Sequence, residues 1–288
     1  MNEKISIQGE LGYYSHIAEN EIYENAEVIP CKTFDQALSL TKNNKEIKAV
    51  IPIENSIAGR VADVHYLLPK YKLKIIGESF HKVSHCLLTL KGNKLKNIKY
   101  VKSHSHAIGQ CHDKINKYKL MPIIETDTAG AAKKLCEEKS IESAVIASTL
   151  AAKIYDLEIV EKNFEDISGN TTRFLTMSSE KKNIITFDSK KNYITTCIFK
   201  LKSLPAALYN SLGGFASQNV NLTKLESFTV NNTFDQVLFY LDLEGHLEDV
   251  KVNAAISILK KNTESLDILG VYQASNYRNK DYSTDSTL

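Results

Sequence analysis

The sequence predicts an α/β protein with two parts, and three observations carry that prediction. Between residues 4 and 177, short apolar strand patterns alternate with helical patterns. Polar residues collect repeatedly where those strands end, which is where α/β sheets hold their ligands. From residue 193 to 275 the order becomes βαββαβ, the ferredoxin-like arrangement. We therefore expect a two-lobed domain with a cleft over residues 1–178 and a second domain over residues 193–275.

The composition excludes several classes of partner. With 288 residues, 43% of them hydrophobic, the chain can bury two cores. Its net charge is only +2, and no basic run is interleaved with aromatic residues, which argues against a nucleic-acid partner. The five cysteines are scattered and form no C-x-x-C pair, which predicts reduced thiols and a cytoplasmic protein. No signal-peptide core and no membrane-length apolar run is present, so we expect no membrane association.

The first strand, residues 4–8, leads into a turn with Gly9 and Gly12 and then a helix with Ile17, Ala18 and Ile22. Two glycines let the backbone approach a ligand, and the start of a helix suits an anion. The turn matches neither the nucleotide phosphate loop nor the dinucleotide fingerprint. A plain tight turn and an anion site both stay open.

After a helix over residues 34–41, a buried strand at residues 49–51 ends in Glu54, Asn55 and Ser56. A carboxylate, an amide and a hydroxyl thus follow the carboxyl end of a strand. Glu54 as a cap of the next helix, residues 61–68, is the structural alternative. Because the three polar residues are contiguous and precede a glycine, we favour a site.

Residues 79–90 are predicted as one strand that contains His81 and His85. Four residues along a strand span about 13 Å, too far for one zinc ion, so no metal is expected there. The strand at residues 100–102 feeds a helix, with Ser103 near its N-cap and Gln110 two turns on. The neighbouring histidines are interpreted as surface residues.

Two further strand ends follow. The strand at residues 122–125 opens a helix of small residues that starts near Thr128, and the buried strand 143–147 precedes a helix over residues 149–155. The stretch 166–174 then places Asn170, Thr172 and Arg173 just before an apolar strand. Such a cluster can hold a carboxylate through the arginine fork while a hydroxyl points at a leaving group. Taken alone, it is more typical of a polar turn.

The polar connector 178–192 separates this part from the C-terminal unit, which predicts that the N-terminal part folds and works without it. The C-terminal elements are expected as strand 194–200, a helix begun by Pro205, strand 222–229, a turn at residues 231–232, strand 236–243, helix 248–262 and strand 266–272. Residues 276–288 are polar and are expected to form a disordered tail.

Taken together, the polar motifs resemble one family, the prephenate dehydratases with a C-terminal ACT regulatory domain. The resemblance covers residues 4–275 and rests on five motifs in order: Gly9-Glu-Leu-Gly12-Tyr-Tyr14-Ser15, Pro52-Ile-Glu54-Asn55-Ser56-Ile-Ala-Gly59, Ser103-His-Ser-His-Ala-Ile-Gly-Gln110-Cys111, Asp127-Thr128-Ala129 and Asn170-Thr-Thr172-Arg173-Phe174. It implies removal of water and carbon dioxide from prephenate to give phenylpyruvate in phenylalanine biosynthesis. It also implies two lobes resembling type II periplasmic binding proteins, and no metal or organic cofactor.

The resemblance assigns Thr172, Glu54 and Arg173 to catalysis. Thr172 is expected to donate to the leaving hydroxyl and Arg173 to clamp a carboxylate, while Glu54 is either a proton source or an orienting group. The helix starts near Ser15, Ser103 and Thr128 are expected to bind anions. The expected substrate-binding residues are Asn55, Ser56, Ser103, Gln110, Thr128, Asn170 and Phe174.

The resemblance further implies L-phenylalanine as an effector and a homodimer or homotetramer. The effector residues would be Ala206, Ala207, Leu208, Asn219, Asn221, Glu226 and Ser227. Ala206 stands where the family has Gly, and Phe228 with Thr229 replaces Arg-Pro, so feedback is supported only in part. Arogenate dehydratase and a non-catalytic amino-acid sensor are the alternatives.

Overall fold

The structure, a computed structural model, describes residues 3–180, 185–230 and 237–279. Its strands are β1 (Lys4–Gln8), β2 (Glu27–Cys31), β3 (Ile47–Asn55), β4 (Gly59–Arg60), β5 (Lys74–Lys82), β6 (Cys86–Thr89), β7 (Tyr100–Ser103), β8 (Met121–Ile124), β9 (Ser143–Ala147), β10 (Glu158–Lys162), β11 (Thr171–Ser178), β12 (Tyr193–Leu201), β13 (Leu222–Thr229), β14 (Val237–Glu244) and β15 (Thr263–Gln273). Its α-helices are α1 (Tyr14–Ile22), α2 (Phe34–Asn43), α3 (Ala62–Tyr71), α4 (Ser105–Gln110), α5 (His112–Lys117), α6 (Thr128–Glu138), α7 (Thr149–Ile154), α8 (Ala207–Ser217) and α9 (Val250–Asn262).

The strands described form three sheets, which confirms the α/β class. The first has the order β2-β1-β3-β11-β5 with β4 paired to β3, the second β10-β6-β9-β7-β8, and the third β13-β14-β12-β15. The second sheet is mixed: β7 runs parallel to β8 and β9, whereas β6 runs antiparallel to β9 and β10. The sequence did not indicate these strand directions. Buried strands read as continuous apolar runs, and such runs carry no signal of strand direction.

The second sheet shows why its strands are apolar throughout. Alternate residues of β6 and β9 enter different cores: Cys86 and Val145 pack with α6 and α7, while Leu87 and Ile146 pack with Phe164 and α5. Successive strand side chains point to opposite faces, so a sheet covered on both sides needs apolar residues at every position.

One predicted strand is broken. The sequence pattern indicated a single strand over residues 79–90, but β5 ends at Lys82 and β6 begins at Cys86. Val83 donates its N–H to the Asn170 carbonyl, and His85 donates its N–H to the Glu165 carboxylate. These partners are distant in sequence, so a local pattern could not predict the break.

By packing, the chain divides into two compact units. The first comprises residues 1–40, 49–61 and 80–174, and the second residues 41–48, 62–79 and 175–288. The predicted C-terminal domain thus shares its unit with α3 and the first part of β5. This division groups segments that are distant in sequence, so it does not test the predicted boundaries at residues 178 and 193. Those boundaries stay a prediction.

In the second unit, both faces of the antiparallel β12–β15 sheet are covered. Helices α8 and α9 pack on one face, around Cys197, Phe199 and Leu241. On the other face, the His65 ring of α3 lies 5.2 Å from the Tyr240 ring. The chain order over these elements is βαββαβ, as predicted; the predicted turn at residues 231–232 and the residue Gln236 lie outside the described residues.

The prediction of a disordered tail is wrong for residues 276–279, and residues 280–288 lie outside the described part of the chain. Asn276–Asn279 form a 3-10 turn, and the Arg278 guanidinium pairs with both carboxylate oxygens of Glu78, at 2.6 and 3.0 Å. Sequence composition alone does not reveal such a partner. None of the helices in the described parts of the chain has the length and apolar composition needed to cross a membrane.

Candidate active site

Asn55, the last residue of β3, is held in one orientation by the backbone that follows it. Its Oδ1 accepts hydrogen bonds from the N–H groups of Ile57, at 3.0 Å, and Ala58, at 2.8 Å. Because an amide oxygen only accepts, this arrangement fixes Oδ1 toward the turn and Nδ2 toward β11. The turn is also tied to β11 by Ser56, whose hydroxyl accepts from the Thr171 N–H at 2.9 Å. The Ser56 hydroxyl thus has a structural role, which is to hold the turn against β11.

Both hydrogens of the Asn55 amide are used on the stretch that the sequence singled out. Nδ2 lies 2.6 Å from Asn170 Oδ1 and 2.8 Å from Thr172 Oγ1. Thr172 is the acceptor in its bond, so the hydroxyl hydrogen points elsewhere, and no acceptor for it is found among the described residues. Thr172 is 8% exposed, so its hydroxyl combines a fixed position with a proton that is available to a ligand.

The hydrogen-bond chain continues away from Thr172 through Gln110. Asn170 Nδ2 donates to Gln110 Oε1 at 2.8 Å, and the same oxygen lies 3.0 Å from His85 Nε2. His85 Nδ1 in turn lies 2.7 Å from the Tyr14 hydroxyl. The structure therefore brings Asn55, Gln110, Asn170 and Thr172 together, as the sequence predicted, and adds two residues that it did not predict.

Arg173 and Glu54 form a separate pair. Successive side chains of a strand point to opposite faces, so Arg173 points away from Thr172 and Glu54 away from Asn55. Arg173 Nη1 lies 3.9 Å from Glu54 Oε2, and the guanidinium lies 5.9 Å from the centre of the Phe80 ring. Arg173 is only 3% exposed. The carboxylate clamp expected of Arg173 stays a prediction.

Two other predicted residues have contacts that explain their burial. Phe174 lies in the apolar cluster with Ile5, Ile7 and Tyr14. The Ser103 hydroxyl donates to the Ile146 carbonyl at 2.6 Å, and the N-cap of α4 is His104 rather than Ser103.

Thr128 opens α6, but the helix start there is already capped by the Asp127 carboxylate, which accepts from the Gly130 N–H at 2.6 Å. A second anion at that point would be repelled, so the expected anion site near Thr128 is not supported. The Thr128 hydroxyl is buried and has no partner among the described residues. The same holds for the Ser15 hydroxyl.

Burial sets the protonation of the new residues. It lowers the pKa of His85, with the Gln110 hydrogen bond and the Glu165 charge acting in the opposite direction. Burial also raises the pKa of the Tyr14 hydroxyl well above its usual range. At neutral pH, the chain from Tyr14 to Thr172 therefore consists of uncharged groups.

Tyr14 and His85 left a weak signal in the sequence. Tyr14 stands in the glycine-turn motif and His85 directly before a buried strand, but their spacing of 71 residues gives no hint that they meet. In the described parts of the chain, no three His, Cys, Asp or Glu residues are grouped closely enough to hold a metal ion.

The predicted effector residues lie in the second unit at three separate places. Ala206, Ala207 and Leu208 line a recess of about 450 Å³ formed by residues 201–209. Asn219 and Asn221 line another, of about 770 Å³, beside Gly245 and His246. On β13, Glu226 pairs with Lys224 at 3.3 Å, and Ser227 follows it. Within one chain, the predicted set is not brought together.

Comparison with known proteins shows which family the chain is similar to. The model of the family described as prephenate dehydratase matches residues 5–182. The chain is 38% identical to a bifunctional N-acyl-homoserine lactone acylase/prephenate dehydratase of Komagataeibacter europaeus, over 96% of this chain and 98% of that protein. It is 34% identical to arogenate dehydratase 2 of Petunia hybrida, over 93% of this chain and 71% of that protein.

Among solved structures, the prephenate dehydratase of Arthrobacter aurescens in complex with L-Phe superposes with a TM-score of 0.86 at 26% identity, covering 95% of this chain and 90% of that one. The family model covers well over half of the 288 residues, and the similarity to curated relatives extends over nearly all of them. The chain therefore belongs to the prephenate dehydratase family.

Proposed function

We propose that this protein converts prephenate to phenylpyruvate, water and carbon dioxide as a step toward L-phenylalanine. The observation that carries the proposal is the Thr172 hydroxyl, which accepts from Asn55 at 2.8 Å and keeps its own hydrogen for a ligand. In this reaction the C–C bond to the ring carboxylate breaks and its electron pair enters the ring. The C–O bond to the ring hydroxyl breaks as well, and the departing hydroxide takes up a proton to leave as water.

Such a reaction needs an aimed donor more than it needs a strong base, because aromatisation of the ring drives both bond cleavages. A hydroxyl held in place can stabilise the charge that develops on the leaving oxygen. The neutral chain of Asn55, Asn170 and Gln110 supplies such placement without a competing charge. Arg173 and Glu54 act, in this proposal, as a structural pair behind β3 and β11.

Arogenate is the alternative substrate, since relatives carry either name. It differs from prephenate by an amino group in place of the keto group. In this proposal Thr172 acts on the ring hydroxyl, which both substrates have. A non-catalytic sensor is less well supported, because a sensor has no need for a donor aimed at a leaving group.

The name of the Komagataeibacter relative adds a second activity to consider, hydrolysis of an N-acyl-homoserine lactone. Amide hydrolysis needs a nucleophile or a water molecule activated by a base. At Thr172 the adjacent group is the Asn55 amide, which donates and cannot take a proton. The geometry therefore favours dehydration.

Residues 193–275 are assigned to a regulatory ACT module on the basis of their βαββαβ order and the sheet order β13-β14-β12-β15. L-phenylalanine is the proposed effector, in keeping with the L-Phe complex of the Arthrobacter enzyme. The predicted effector residues lie at separate places in one chain, which supports a site completed by a second subunit. The five free cysteines agree with a reducing compartment such as the cytoplasm.

The deciding experiment incubates the purified protein separately with prephenate, arogenate and an N-acyl-homoserine lactone, with and without a chelator. Release of phenylpyruvate from prephenate, unchanged by chelation, is the expected result. Formation of phenylalanine from arogenate, with no product from prephenate, would show that arogenate is the substrate. No product from prephenate or arogenate would overturn the proposal.

A further inference from the structure

Tyr14 and His85 form a buried pair behind the residues assigned to substrate. Tyr14 is 8% exposed and His85 3% exposed. The Tyr14 hydroxyl lies 2.7 Å from His85 Nδ1 and 3.0 Å from the Ser84 carbonyl. On its other side, His85 Nε2 lies 3.0 Å from Gln110 Oε1. The pair is thus joined to Thr172 by consecutive hydrogen bonds and by no charged group.

The direction of every bond in this chain follows from its fixed end. The two N–H groups that hold Asn55 Oδ1 make Asn55 Nδ2 the donor to Asn170 Oδ1. Asn170 must then donate to Gln110 through Nδ2, which makes Gln110 Oε1 an acceptor. His85 Nε2, facing the same oxygen, must carry a hydrogen. In a neutral imidazole, Nδ1 then accepts from the Tyr14 hydroxyl, whose single hydrogen lies between this nitrogen at 2.7 Å and the Ser84 carbonyl at 3.0 Å.

Burial supports this assignment of protons. The titratable groups around the pair are the Glu165 carboxylate, which accepts the His85 N–H, the Cys86 and Cys111 thiols, Tyr13, and the His81 ring, 6.3 Å from that of Tyr14. Burial dominates the lowered pKa of His85, although Glu165 acts against it. Tyr14 keeps its proton because its pKa is raised. A neutral donor and a neutral ring therefore meet at 2.7 Å.

We propose that Tyr14 and His85 are positioning residues of this site, which hold the Gln110 amide in the one orientation that lets Asn170 and Asn55 present the Thr172 hydroxyl to substrate. This inference rests on the proposed function. A turned Gln110 amide would place its NH₂ against the NH₂ of Asn170. Asn170 cannot turn in response, because its oxygen is needed by Asn55. The His85 Nε2–H therefore stabilises, from the Gln110 end, the same arrangement that the two backbone N–H groups fix at Asn55.

Kinetics of four variants test the role. His85→Leu removes the donor and should lower kcat by about 10-fold with little change in KM, as for one lost positioning hydrogen bond. His85→Gln restores an N–H near the position of Nε2 and should recover kcat to within about 3-fold of wild type. Tyr14→Phe should lower kcat by about 3-fold. Tyr118→Phe is the matched control with unchanged kcat, since its hydroxyl bonds to Glu161 elsewhere.

A double variant distinguishes a positioning role of His85 from a general effect of His85 on stability. If His85 acts through Thr172, adding His85→Leu to Thr172→Val should change kcat by less than about 2-fold, because the two losses are not additive. A full additional 10-fold loss in the double variant would overturn the proposal, as would a His85→Gln protein as slow as His85→Leu.

The protons can be observed without turnover. In protein with ¹⁵N-labelled histidine, we expect one of the eight imidazoles to remain neutral with hydrogen on Nε2 from pH 6 to 8, and its signals to vanish in His85→Gln. A His85 that carries its hydrogen on Nδ1, or that is charged at pH 7, would refute the inference. Inactivity of the wild-type protein toward prephenate and arogenate would refute the proposed function instead, and this spectrum would still decide the His85 assignment.

Discussion

Asn55 and Thr172 are joined by a 2.8 Å hydrogen bond in which the amide donates and the hydroxyl accepts. Asn55 is itself locked by two backbone N–H groups, so the direction of this bond cannot reverse. The Thr172 oxygen is therefore fixed in position, and its hydrogen points away from Asn55. The relationship ties the function of Thr172 to the turn that follows β3.

The first prediction concerns that hydroxyl. Thr172→Val should lower kcat by about 10² to 10⁴-fold with KM nearly unchanged, the range for a positioned acid, and Thr172→Ser should keep part of the rate. Thr171→Val is the control, since that side chain is half-buried and its hydroxyl donates only a long hydrogen bond to the Gly169 carbonyl, at 3.3 Å. Steady-state kinetics on prephenate provide the measurement. A Thr172→Val enzyme with near wild-type kcat would move the leaving-group role to another group.

Arg173 is expected to act on stability rather than on substrate binding. Its side chain is 4% exposed and faces Glu54 and Phe80, so a lysine would place a compact ammonium where a planar guanidinium packs. Arg173→Lys should therefore reduce the free energy of unfolding by about 1 to 3 kcal/mol. Urea unfolding measures this loss, with Arg60→Lys at an exposed position as the control. A raised KM with unchanged stability would instead restore the carboxylate clamp that the sequence suggested.

Site residues that follow one strand end could be predicted from the sequence, whereas contacts between residues far apart in the chain could not. Glu54, Asn55 and Ser56 were found because strand ends collect polar residues. Which of them would face Thr172 was not found, because it depends on the pairing of β3 with β11. His85 was missed because residues 79–90 were taken as one strand, whereas Asn170 and Glu165 interrupt it from far along the chain. The patterns of local sequence carry no information about such partners.

The C-terminal unit shows the same limit. Its βαββαβ order follows from periodicity and turn residues, and the element bounds agree closely. Neither periodicity nor turn residues predict that α3 covers the second face of the β12–β15 sheet. Phe228 was noted as a departure from a motif, and the structure gives it a contact: its ring lies 5.9 Å from that of His65 and 6.1 Å from that of Tyr66. An aromatic residue there suits packing on α3.

A buried carboxyl group should make stability depend on pH. Glu19 in α1 is fully buried, neither of its oxygens has a partner among the described residues, and burial raises its pKa to about 7. Between the unfolded pKa of about 4.3 and pH 7, the unfolded chain loses this proton first, so stability falls as pH rises.

Glu19→Gln should remove that dependence. At pH 8 we expect the variant to be more stable than wild type by about 2 to 4 kcal/mol, and at pH 4 to be equal to it. Urea unfolding across this pH range is the measurement, and Glu24→Gln, at an exposed position, is the control. Equal stability of variant and wild type at both pH values would show that Glu19 has an ionic partner.

The C-terminal sheet should be needed for folding of α3 and β5. Lys74 donates to the Ile268 carbonyl at 2.6 Å, and a Cβ added at Gly270 would fall 2.1 Å from the Ile75 carbonyl oxygen. A chain that ends within residues 178–192 loses these contacts and uncovers His65, so it should be insoluble or inactive. This outcome is opposite to the one that the polar connector suggested. A folded, active fragment in gel filtration and assay would restore the independent N-terminal part.

Gly270→Ala tests the same contact within the full chain. The new methyl group would overlap a backbone atom, which should cost about 1 to 3 kcal/mol or more of stability. Gly77→Ala on β5 is the matched control, because a Cβ there meets nothing within 4 Å. Thermal unfolding of both variants makes the comparison. Equal melting temperatures would mean that β15 and β5 are less closely packed than described.

The last prediction concerns the start of α8 and the response to phenylalanine. Ala206 is the N-cap of α8 and has φ +60°, a left-handed conformation that costs a residue with a Cβ about 1 to 2 kcal/mol. The resemblance implies glycine at this position, and glycine adopts this conformation freely and lets a ligand carboxylate approach the helix start. Ala206→Gly should therefore raise the melting temperature and strengthen L-phenylalanine binding. Calorimetric titration together with inhibition of turnover measures both effects, with Gly213→Ala, where a Cβ meets nothing within 4 Å, as a control inside the same helix. Absence of phenylalanine binding in both wild type and Ala206→Gly, up to millimolar ligand, would mean that this module has no effector role.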